Sequence, residues 1–393
     1  MKSFLTLPAA LAICAALAAP AAHAAACLAP AAWTVLDKAG MRKAPPSDVV
    51  ADMARRDVVL LGEFHDEDDH HRWQVHTLAA LHALRPDMVI GFEMFPRRVQ
   101  PALDRWTRGE LTLRQFLEQA EWDRVWNTPP ELYIPLFEFA RINRIPMVAL
   151  NVSNTLNKAV RAKGWDQVPE AEREGVGRPA APSSAYRDYL FDVYRMHAGV
   201  HGARSGDKTA KPDAAFGRFV ESQVTWDRAM AEALAARVKT ANKPLAVGIV
   251  GSGHVRYGHG IPHQLRDLGI ANVGTLVALP ADTECKELQP GLANAVFALP
   301  LQPVDKQEPP RLGVRLDDAD GGVRLSEVVA GSLAEGAGLK AGDRLLEIAG
   351  VAVGKAPQVA ASVRRQPPGT WLPVRIKRGE ELLDIVIKFP VKQ

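Results

Sequence analysis

The chain has 393 residues, of which 47% are hydrophobic and 24% are charged, a balance typical of a globular protein with two or three domains. Its 48 basic and 45 acidic residues leave a net charge of +3, too small to indicate a nucleic-acid partner. Length and charge therefore exclude a small domain that depends on disulfides for its core, and they exclude a strongly basic nucleic-acid binder.

The N-terminus has the pattern of an export signal. Residues 1–24, MKSFLTLPAALAICAALAAPAAHA, combine Lys2, a long Ala/Leu stretch and a small-x-small ending at Ala22-His23-Ala24. Pro20 interrupts the apolar run, which lacks the flanking residues of a stable membrane span. We therefore predict that residues 1–24 are a signal peptide and that the mature protein is exported to the periplasm.

Of the three cysteines, Cys14 would leave with the signal, whereas Cys27 and Cys285 would remain. Two thiols in an oxidising compartment are more often paired than free, so we predict a Cys27–Cys285 disulfide. The alternative is a lipid anchor on Cys27 that would hold the protein at the membrane. The preceding AAA is a poor match to the Leu-led box of lipoproteins, which favours the disulfide.

Apolar, β-branched segments alternate with helical patterns through the first 280 residues. Four of them are each followed by a break and a helical pattern, and a fifth closes the series. This alternation predicts an α/β fold, in which helices flank a mostly parallel sheet. The five segments are DVVLLG (57–62), DMVIGFEMF (87–95), IPMVALNV (145–152), PLAVGIVGSG (244–253) and ANVGTLVALP (271–280).

The domain boundaries follow from changes in composition. Residues 31–280 form the predicted α/β domain, and about ninety residues between its third and fourth strands predict a helical insertion over the active face. Residues 281–308 are rich in Pro and Gly and are predicted to be a linker. Residues 309–393 are predicted to form a separate, small, β-rich domain.

Polar side chains follow four of the predicted strands. Glu63 and His65 end the first strand, Glu93 the second, Asn151 the third and His254 the fourth. Ligands of open α/β sheets bind outside the carboxyl ends of the strands, so we expect these side chains to share one pocket. His70 and His71 lie further along, in a predicted helix, and we expect them to stay outside the pocket.

This set of side chains is compatible with two kinds of chemistry. His65, Glu93 and His254 are the ligand types of a divalent metal such as zinc or manganese. Glu63 could then activate a bound water, making Glu63, His65, Glu93 and His254 the catalytic residues of a metal-dependent hydrolase. Alternatively, the same groups hydrogen-bond an organic ligand and hold no metal.

Two G-x-x-H turns, GEFH and GSGH, with FEMF between them, resemble the ChaN family, as do LYIPLFEFARINRIPMVALNVS and VESQVTWDRAMAEAL. The resemblance covers roughly residues 33–280 and implies haem binding within a superfamily that includes Tiki proteases and erythromycin esterase. The superfamily pattern maps Glu63, His65, Glu93 and His254 onto a hydrolase-like site. The ChaN branch implies a tyrosine ligand to iron, since an anionic oxygen favours ferric haem.

The resemblance does not select one of the five tyrosines as the iron ligand. The candidate haem contacts are Tyr133, in ELYIPLFEFA, and Tyr257, just past the second G-x-x-H turn, together with His197 and Asn151. Tyr186, Tyr189 and Tyr194 on the insertion stay open as alternatives.

The C-terminal segment GSLAEGAGLKAGDRLLEIAGVAV (331–353) resembles a bacterial PDZ domain. The resemblance makes Leu312, Gly313 and Val314, which follow Arg311, the loop whose backbone N–H groups would bind a peptide carboxylate. The peptide would then add as a strand to an exposed edge. The alternative is a PDZ fold that only packs against its neighbour.

Three functions are compatible with these features. The first is an exported haem-binding protein, acting in haem or iron uptake, with a PDZ domain that docks a peptide or protein C-terminus. The second is a metal-dependent hydrolase, and the third is a non-catalytic periplasmic adaptor. Whether the protein is an enzyme stays open, with binding favoured, and a homodimer is a further expectation.

Overall fold

The computed structural model describes residues 27–126, 128–200, 213–301 and 310–391, without the side chains of 197–200. The chain forms two compact units that divide between Leu301 and Gln302. The predicted signal peptide, residues 1–24, lies outside the described residues. Within the described ranges, no helix combines the length and apolar character that a membrane crossing requires.

The first unit is built on an eight-stranded sheet. Its strands are β1 (Trp33–Asp37), β2 (Gly40–Ala44), β3 (Val58–Glu63), β4 (Met88–Pro96), β5 (Met147–Asn151), β6 (Leu245–Gly251), β7 (Val273–Pro280) and β8 (Ala295–Leu299). Their order is β2-β1-β8-β7-β3-β6-β4-β5. The run from β8 to β5 is parallel, whereas β1 and β2 join antiparallel. The five predicted strands are therefore confirmed as β3 to β7.

Helices cover both faces of this sheet. They are α1 (Pro46–Ala54), α2 (Asp68–Leu84), α3 (Gln100–Thr107), α4 (Leu113–Gln119), α5 (Trp122–Val125), α6 (Ile134–Ile142), α7 (Asn154–Lys163), α8 (Ser184–Val200), α9 (Ala214–Val238) and α10 (Ile261–Asp267). Alternate residues of each central strand enter different cores: Val59 and Leu61 face one, and Val58 and Leu60 face the other. Both faces are buried, as a parallel sheet requires.

The predicted insertion supplies part of the core rather than only a cover. Met230 and Leu234 of α9 pack with Leu60 in one of the two cores of the sheet. The first half of α9 lies outside this core, and there Phe216 packs with Tyr186 of α8 in a small separate cluster. Helix α9 therefore brings its own side chains directly to the sheet.

The linker prediction for residues 281–308 is wrong in its first part. Strand β8 lies inside that range and pairs with both β7 and β1. The segment AVFAL is short and lies among many Pro and Gly residues, and one of its two partner strands, β1, is far away in the chain, so the sequence pattern did not reveal it. The first unit accordingly extends to Leu301.

The second unit is a separate antiparallel sheet with its own core. Its strands are β9 (Val314–Ala319), β10 (Gly322–Val328), β11 (Arg344–Ile348), β12 (Val351–Ala352), β13 (Trp371–Arg378) and β14 (Glu381–Lys388), with helices α11 (Leu333–Gly336) and α12 (Ala356–Arg364). The order is β14-β13-β11-β10-β9, with β12 paired to β11. Strand β9 is therefore an edge strand, as peptide binding by strand addition requires.

Cys27 and Cys285 form a disulfide with 5.5 Å between their Cα atoms, which confirms the predicted pairing. The bond closes a loop of 258 residues and joins the start of the described chain to the turn after β7. We expect Cys27→Ser with Cys285→Ser to lower the free energy of unfolding by about 2–5 kcal/mol, since the cross-link restricts the unfolded chain. Denaturant titration of both proteins measures the difference.

Intact mass after alkylation without reductant provides the control for this prediction. The disulfide protects both sulfurs, so the native protein should take up no label. Two labelled thiols, a diacylglyceryl mass on Cys27, or equal stability of the two proteins would contradict the prediction.

Candidate functional site

Three neighbouring strands bring their polar residues to one edge of the sheet. Strand β3 ends at Glu63, just before His65, and strand β4 carries Glu93 near its end. Strand β6 between them ends at Gly251, and a 3₁₀ turn, Ser252–His254, follows. A Cβ atom at Gly251 would lie 3.1 Å from the ring of His65, so any larger residue there would press on that ring. The structure therefore brings Glu63, His65, Glu93 and His254 together.

Glu93 lies at the centre of this cluster with 2% of its side chain exposed. Its Oε2 accepts a hydrogen bond from the backbone N–H of Gly251 at 2.6 Å. Its Oε1 lies 3.5 Å from Nε2 of His254 and 4.0 Å from Nε2 of His65. Both imidazoles thus direct Nε2 toward the same carboxylate oxygen.

Glu63 holds the other nitrogen of His65. Its Oε1 accepts from Nδ1 of His65 at 2.9 Å and from the hydroxyl of Tyr133 at 2.7 Å. Its Oε2 lies 3.1 Å from Nδ1 of His71. Burial opposes the charged form of Glu63, but the hydrogen bonds from His65 and His71 outweigh it and lower the pKa to about 2. Glu63 is therefore a carboxylate at neutral pH.

Asp227, on helix α9, binds Nδ1 of His254 as Glu63 binds Nδ1 of His65. Its Oδ1 lies 2.6 Å from Nδ1 of His254, and its Oδ2 accepts from the hydroxyl of Tyr186 at 2.8 Å. Burial acts to lower the pKa of His254, but the charges of Glu93 and Asp227 and the Asp227 hydrogen bond raise it to about 9. His254 is therefore an imidazolium at neutral pH.

Sequence reasoning missed Asp227, although a signal was present. Helix α9 buries one stripe that includes Val220, Val224, Ala231 and Leu234. Asp227 falls on this stripe and is fully buried, where a lone carboxylate is costly unless it is paired. An acid on the apolar face of an amphipathic helix is thus the pattern that could have identified it.

The prediction that His70 and His71 stay outside the pocket is wrong for His71. Both are buried, because α2 begins at Asp68 and its first turn folds back over the end of β3. His71 contacts Glu63, and its Nε2 donates to the backbone oxygen of His65 at 3.2 Å. His70 lies next to this contact, where its Nδ1 accepts from the N–H of Phe64 at 3.3 Å.

The pKa values of the two remaining histidines of the cluster are also raised. For His65, burial opposes the charge, but the hydrogen bond to Glu63 and the charges of Glu93 and Glu63 raise the pKa. For His71, burial is likewise outweighed by the hydrogen bond to Glu63 and its charge. The buried carboxylates of the cluster therefore favour the protonated forms of both rings.

The other predicted contacts occupy different environments. Asn151 is buried, and its amide donates to the backbone oxygen of Glu93 and accepts from the N–H of Val152, both at 2.8 Å. Tyr133 is fully buried beneath Glu63, whereas Tyr257 is 40% exposed, three residues beyond His254. The side chain of His197 lies outside the described residues.

The predicted metal ligands find no support in this arrangement. In the described ranges, no three or more His, Cys, Asp or Glu side chains are arranged to hold a metal ion. Carboxylates hold Nδ1 of both His65 and His254, and Nε2 of each ring faces Glu93.

A cleft of about 580 Å³ lies beside the cluster, at the ends of β4 and β5. Two indole rings link the cleft to the histidines. The ring of Trp126 is 4.8 Å from that of His65, and the ring of Trp226 is 5.7 Å from that of His254. Arg98 and Arg124 also line this cleft.

The second unit has a groove of about 370 Å³ between β9 and α12. The predicted loop residues Leu312, Gly313 and Val314 all line it. Gly313 has φ +75, and a Cβ atom there would lie 2.3 Å from Cβ of Ser332. A bulky residue at Gly313 would therefore strain the loop itself.

The family described as "Haem-binding uptake, Tiki superfamily, ChaN" matches residues 49–265, more than half of the 393-residue chain. The chain belongs to this family. Residues 310–389 match the PDZ domain family, in agreement with the separate antiparallel sheet. A comparison with curated proteins returned no match.

The ChaN-family fold is also found among solved structures. A structure titled as cofacial heme binding to ChaN of Campylobacter jejuni is 19% identical, with a TM-score of 0.51, over 68% of this chain and 96% of that one. The HtrA3 PDZ domain bound to a phage-derived ligand is 19% identical over 20% of this chain and 82% of its own, with a TM-score of 0.19. A serine endoprotease from Yersinia pestis is 21% identical over 21% of this chain and 29% of its own, with a TM-score of 0.19.

Asp227→Asn should lower the pKa of His254 from about 9, because it removes the carboxylate bound to Nδ1. NMR titration of histidine-labelled protein measures this midpoint. Asp267→Asn is the control, since that carboxylate pairs with Arg228 instead. An unchanged midpoint in Asp227→Asn would contradict the assigned pairing.

The raised pKa of His254 also predicts how stability depends on pH. Its folded-state value, about 9, exceeds the ordinary value of 6.5, so the ion pair contributes fully below pH 6.5 and is lost as the pH rises through 9. His254→Ala should lower the free energy of unfolding by about 3–5 kcal/mol at neutral pH, because Asp227 stays buried without its partner. Denaturant unfolding of both proteins from pH 6 to 10 measures the stability difference and its dependence on pH. A difference in the free energy of unfolding that does not shrink at high pH would contradict this account.

Proposed function

We propose that this ChaN-family protein is exported, binds haem at the carboxyl edge of its sheet, and docks protein C-termini through its PDZ domain. Family membership and the solved ChaN structure support the haem part. The open edge of β9 and the adjoining groove support the docking part. The sequence of residues 1–24 supports export.

The observation that carries the haem proposal is the exposure of Tyr257. The sequence has five tyrosines, and the other four are buried or partly buried. Tyr257 sits in a tight turn with φ +58, and its backbone N–H donates to the oxygen of Leu292 at 3.0 Å. This bond holds the turn beside the charged cluster and leaves the phenol ring facing solvent.

The surroundings of Tyr257 fit the chemistry of haem. Phe64 is a further exposed aromatic residue at this edge, 42% accessible, and the guanidinium of Arg256 lies 5.6 Å above its ring. The ring of His259 lies 5.9 Å from that of Tyr257. Phe64 and His259 offer aromatic surface to a macrocycle, Arg256 offers a cation to a propionate, and Tyr257 offers an oxygen to the iron.

Bound haem would supply an iron centre, and the residues that would hold it are Tyr257 and Arg256. The protein's part is to present the Tyr257 oxygen and to bind the carboxylates of the ligand through Arg256. The buried cluster keeps the edge in place, because His254, three residues before Tyr257, is fixed by Glu93 and Asp227.

Haem titration tests this proposal directly. The full-length mature protein should develop a Soret band that saturates at a fixed stoichiometry. Tyr257→Phe should shift that band and weaken binding about 10-fold or more, since the axial ligand is lost. Tyr194→Phe is the matched control, because Tyr194 packs on Phe219 in the small α8–α9 cluster. No Soret band in the wild type, or equal binding by Tyr257→Phe, would contradict the proposal.

A second candidate function is hydrolysis, and one observation favours it. Buried carboxylates fix Nδ1 of His65 and of His254, so both Nε2 atoms face Glu93 as a preorganised acid–base pair. Elemental analysis for zinc and manganese, combined with haem titration of the same sample, separates the two functions. Stoichiometric metal without haem uptake would favour the hydrolase.

A further inference from the structure

The groove of the PDZ domain has a defined direction. At one end, the backbone N–H of Ala356, which begins α12, donates to Oδ1 of Asp318 in β9 at 2.8 Å. At the other end, Arg364, which ends α12, and Arg311, which precedes β9, line the same groove. Helix α12 and strand β9 therefore run in opposite directions along the groove.

A peptide that adds to the edge of β9 would place its carboxylate at the end marked by the two arginines. The loop of Leu312 and Gly313 lies at that end, and the resemblance to PDZ domains makes it the carboxylate-binding loop. Neither acidic side chains nor other cations line the groove besides Arg311 and Arg364, within the part of the chain described. The ends of the groove thus differ in charge: two cations lie at one end, whereas at the other the charge of Asp318 is paired with Lys355 at 3.2 Å.

Strand geometry decides which ligand side chains enter. Successive side chains of a strand point to opposite faces, so the last and third-last residues of the peptide would face the groove together. The walls of the groove are apolar: Val314 and Leu316 from β9, and Val359, Ala360 and Val363 from α12. Ala356 lies one turn before Ala360 on the same helix face, at the end of the groove where Asp318 lies.

This face of α12 therefore offers no hydrogen-bonding side chain between its first residue and Arg364. A serine or threonine at the third-last position would bury its hydroxyl without a partner, which is unfavourable. An aliphatic side chain there would instead extend the apolar contact. The last residue meets the same kind of surface, at Leu312 and Val363.

We propose that the PDZ groove selects protein C-termini whose last and third-last residues are both apolar, with the free carboxylate at the end flanked by Arg311 and Arg364. This inference rests on the proposed docking function and adds the class of partner. Ala360 is its specificity-determining residue, since it lines the groove and offers no hydrogen-bonding group there.

The experiment uses the full-length mature protein and fluorescein-labelled octapeptides of one upstream sequence. The reference peptide ends in Val-Ala-Val with a free carboxylate. Three further peptides carry Ser at the third-last position, Arg at the last position, or a C-terminal amide. Fluorescence anisotropy should show that each of the three binds about 10-fold or more weakly than the reference.

A pair of variants tests the groove wall. Ala360→Glu places a carboxylate inside the apolar groove and should weaken the reference peptide about 10-fold or more. Ala361→Glu makes the same change at the next residue, which does not line the groove, and should leave binding unchanged. Circular dichroism and thermal unfolding confirm that both variants are folded.

The outcomes separate this inference from the docking function on which it rests. If no carboxylate-terminated peptide binds, the docking function fails, and the inference with it. If the Ser peptide binds as tightly as the reference or tighter, or if Ala361→Glu weakens binding as much as Ala360→Glu, the specificity is wrong although docking stands.

Discussion

Three buried carboxylates constrain the carboxyl edge of the first unit. The side chains of Glu63, Glu93 and Asp227 are at most 2% exposed, and a carboxylate without partners would not remain charged at such a site. The fold satisfies them with imidazoles, tyrosine hydroxyls and a backbone amide. Each of these partners comes from a different part of the chain, so the cluster forms only when the whole unit is assembled.

This requirement explains why so many elements meet at one place. Helix α9 reaches the sheet edge carrying Asp227, helix α8 supplies Tyr186, and Tyr133 begins α6. His65 and His254 each connect one outer carboxylate to Glu93. Because carboxylates bind Nδ1 of both rings and Glu93 faces both Nε2 atoms, the turn that exposes Tyr257 starts from a well-anchored residue.

The sequence was sufficient to predict the central strands and to predict that polar residues at their ends lie close together. Strands β3 to β7 are continuous apolar segments, and the two G-x-x-H turns marked His65 and His254 as neighbours. Strands β1, β2 and β8 escaped notice, because each has only five residues, and β1 and β8 also pair with each other across most of the chain. Asp227 was missed for a related reason: its partner His254 lies 27 residues away, across a helix and a strand.

Two further differences show what only tertiary structure decides. The prediction about His71 failed because the path of the chain between β3 and α2, rather than helical rise, sets its distance from Glu63. The metal expectation depended on residue types alone, whereas the described side chains pair with one another and are not arranged as three or more ligands of a metal ion. The PDZ domain was recognisable because its glycine-rich turns are local features of the sequence, and its match covers 310–389.

The central claim is that Tyr257 presents its oxygen to haem iron at the edge stabilised by this cluster. Resonance Raman spectroscopy of the ferric, haem-loaded, full-length protein tests it most directly, because phenolate ligation gives iron–oxygen and ring modes that histidine ligation lacks. The account predicts phenolate modes in the wild-type protein that disappear in Tyr257→Phe. A spectrum of histidine ligation, or phenolate modes that survive the substitution, would contradict it.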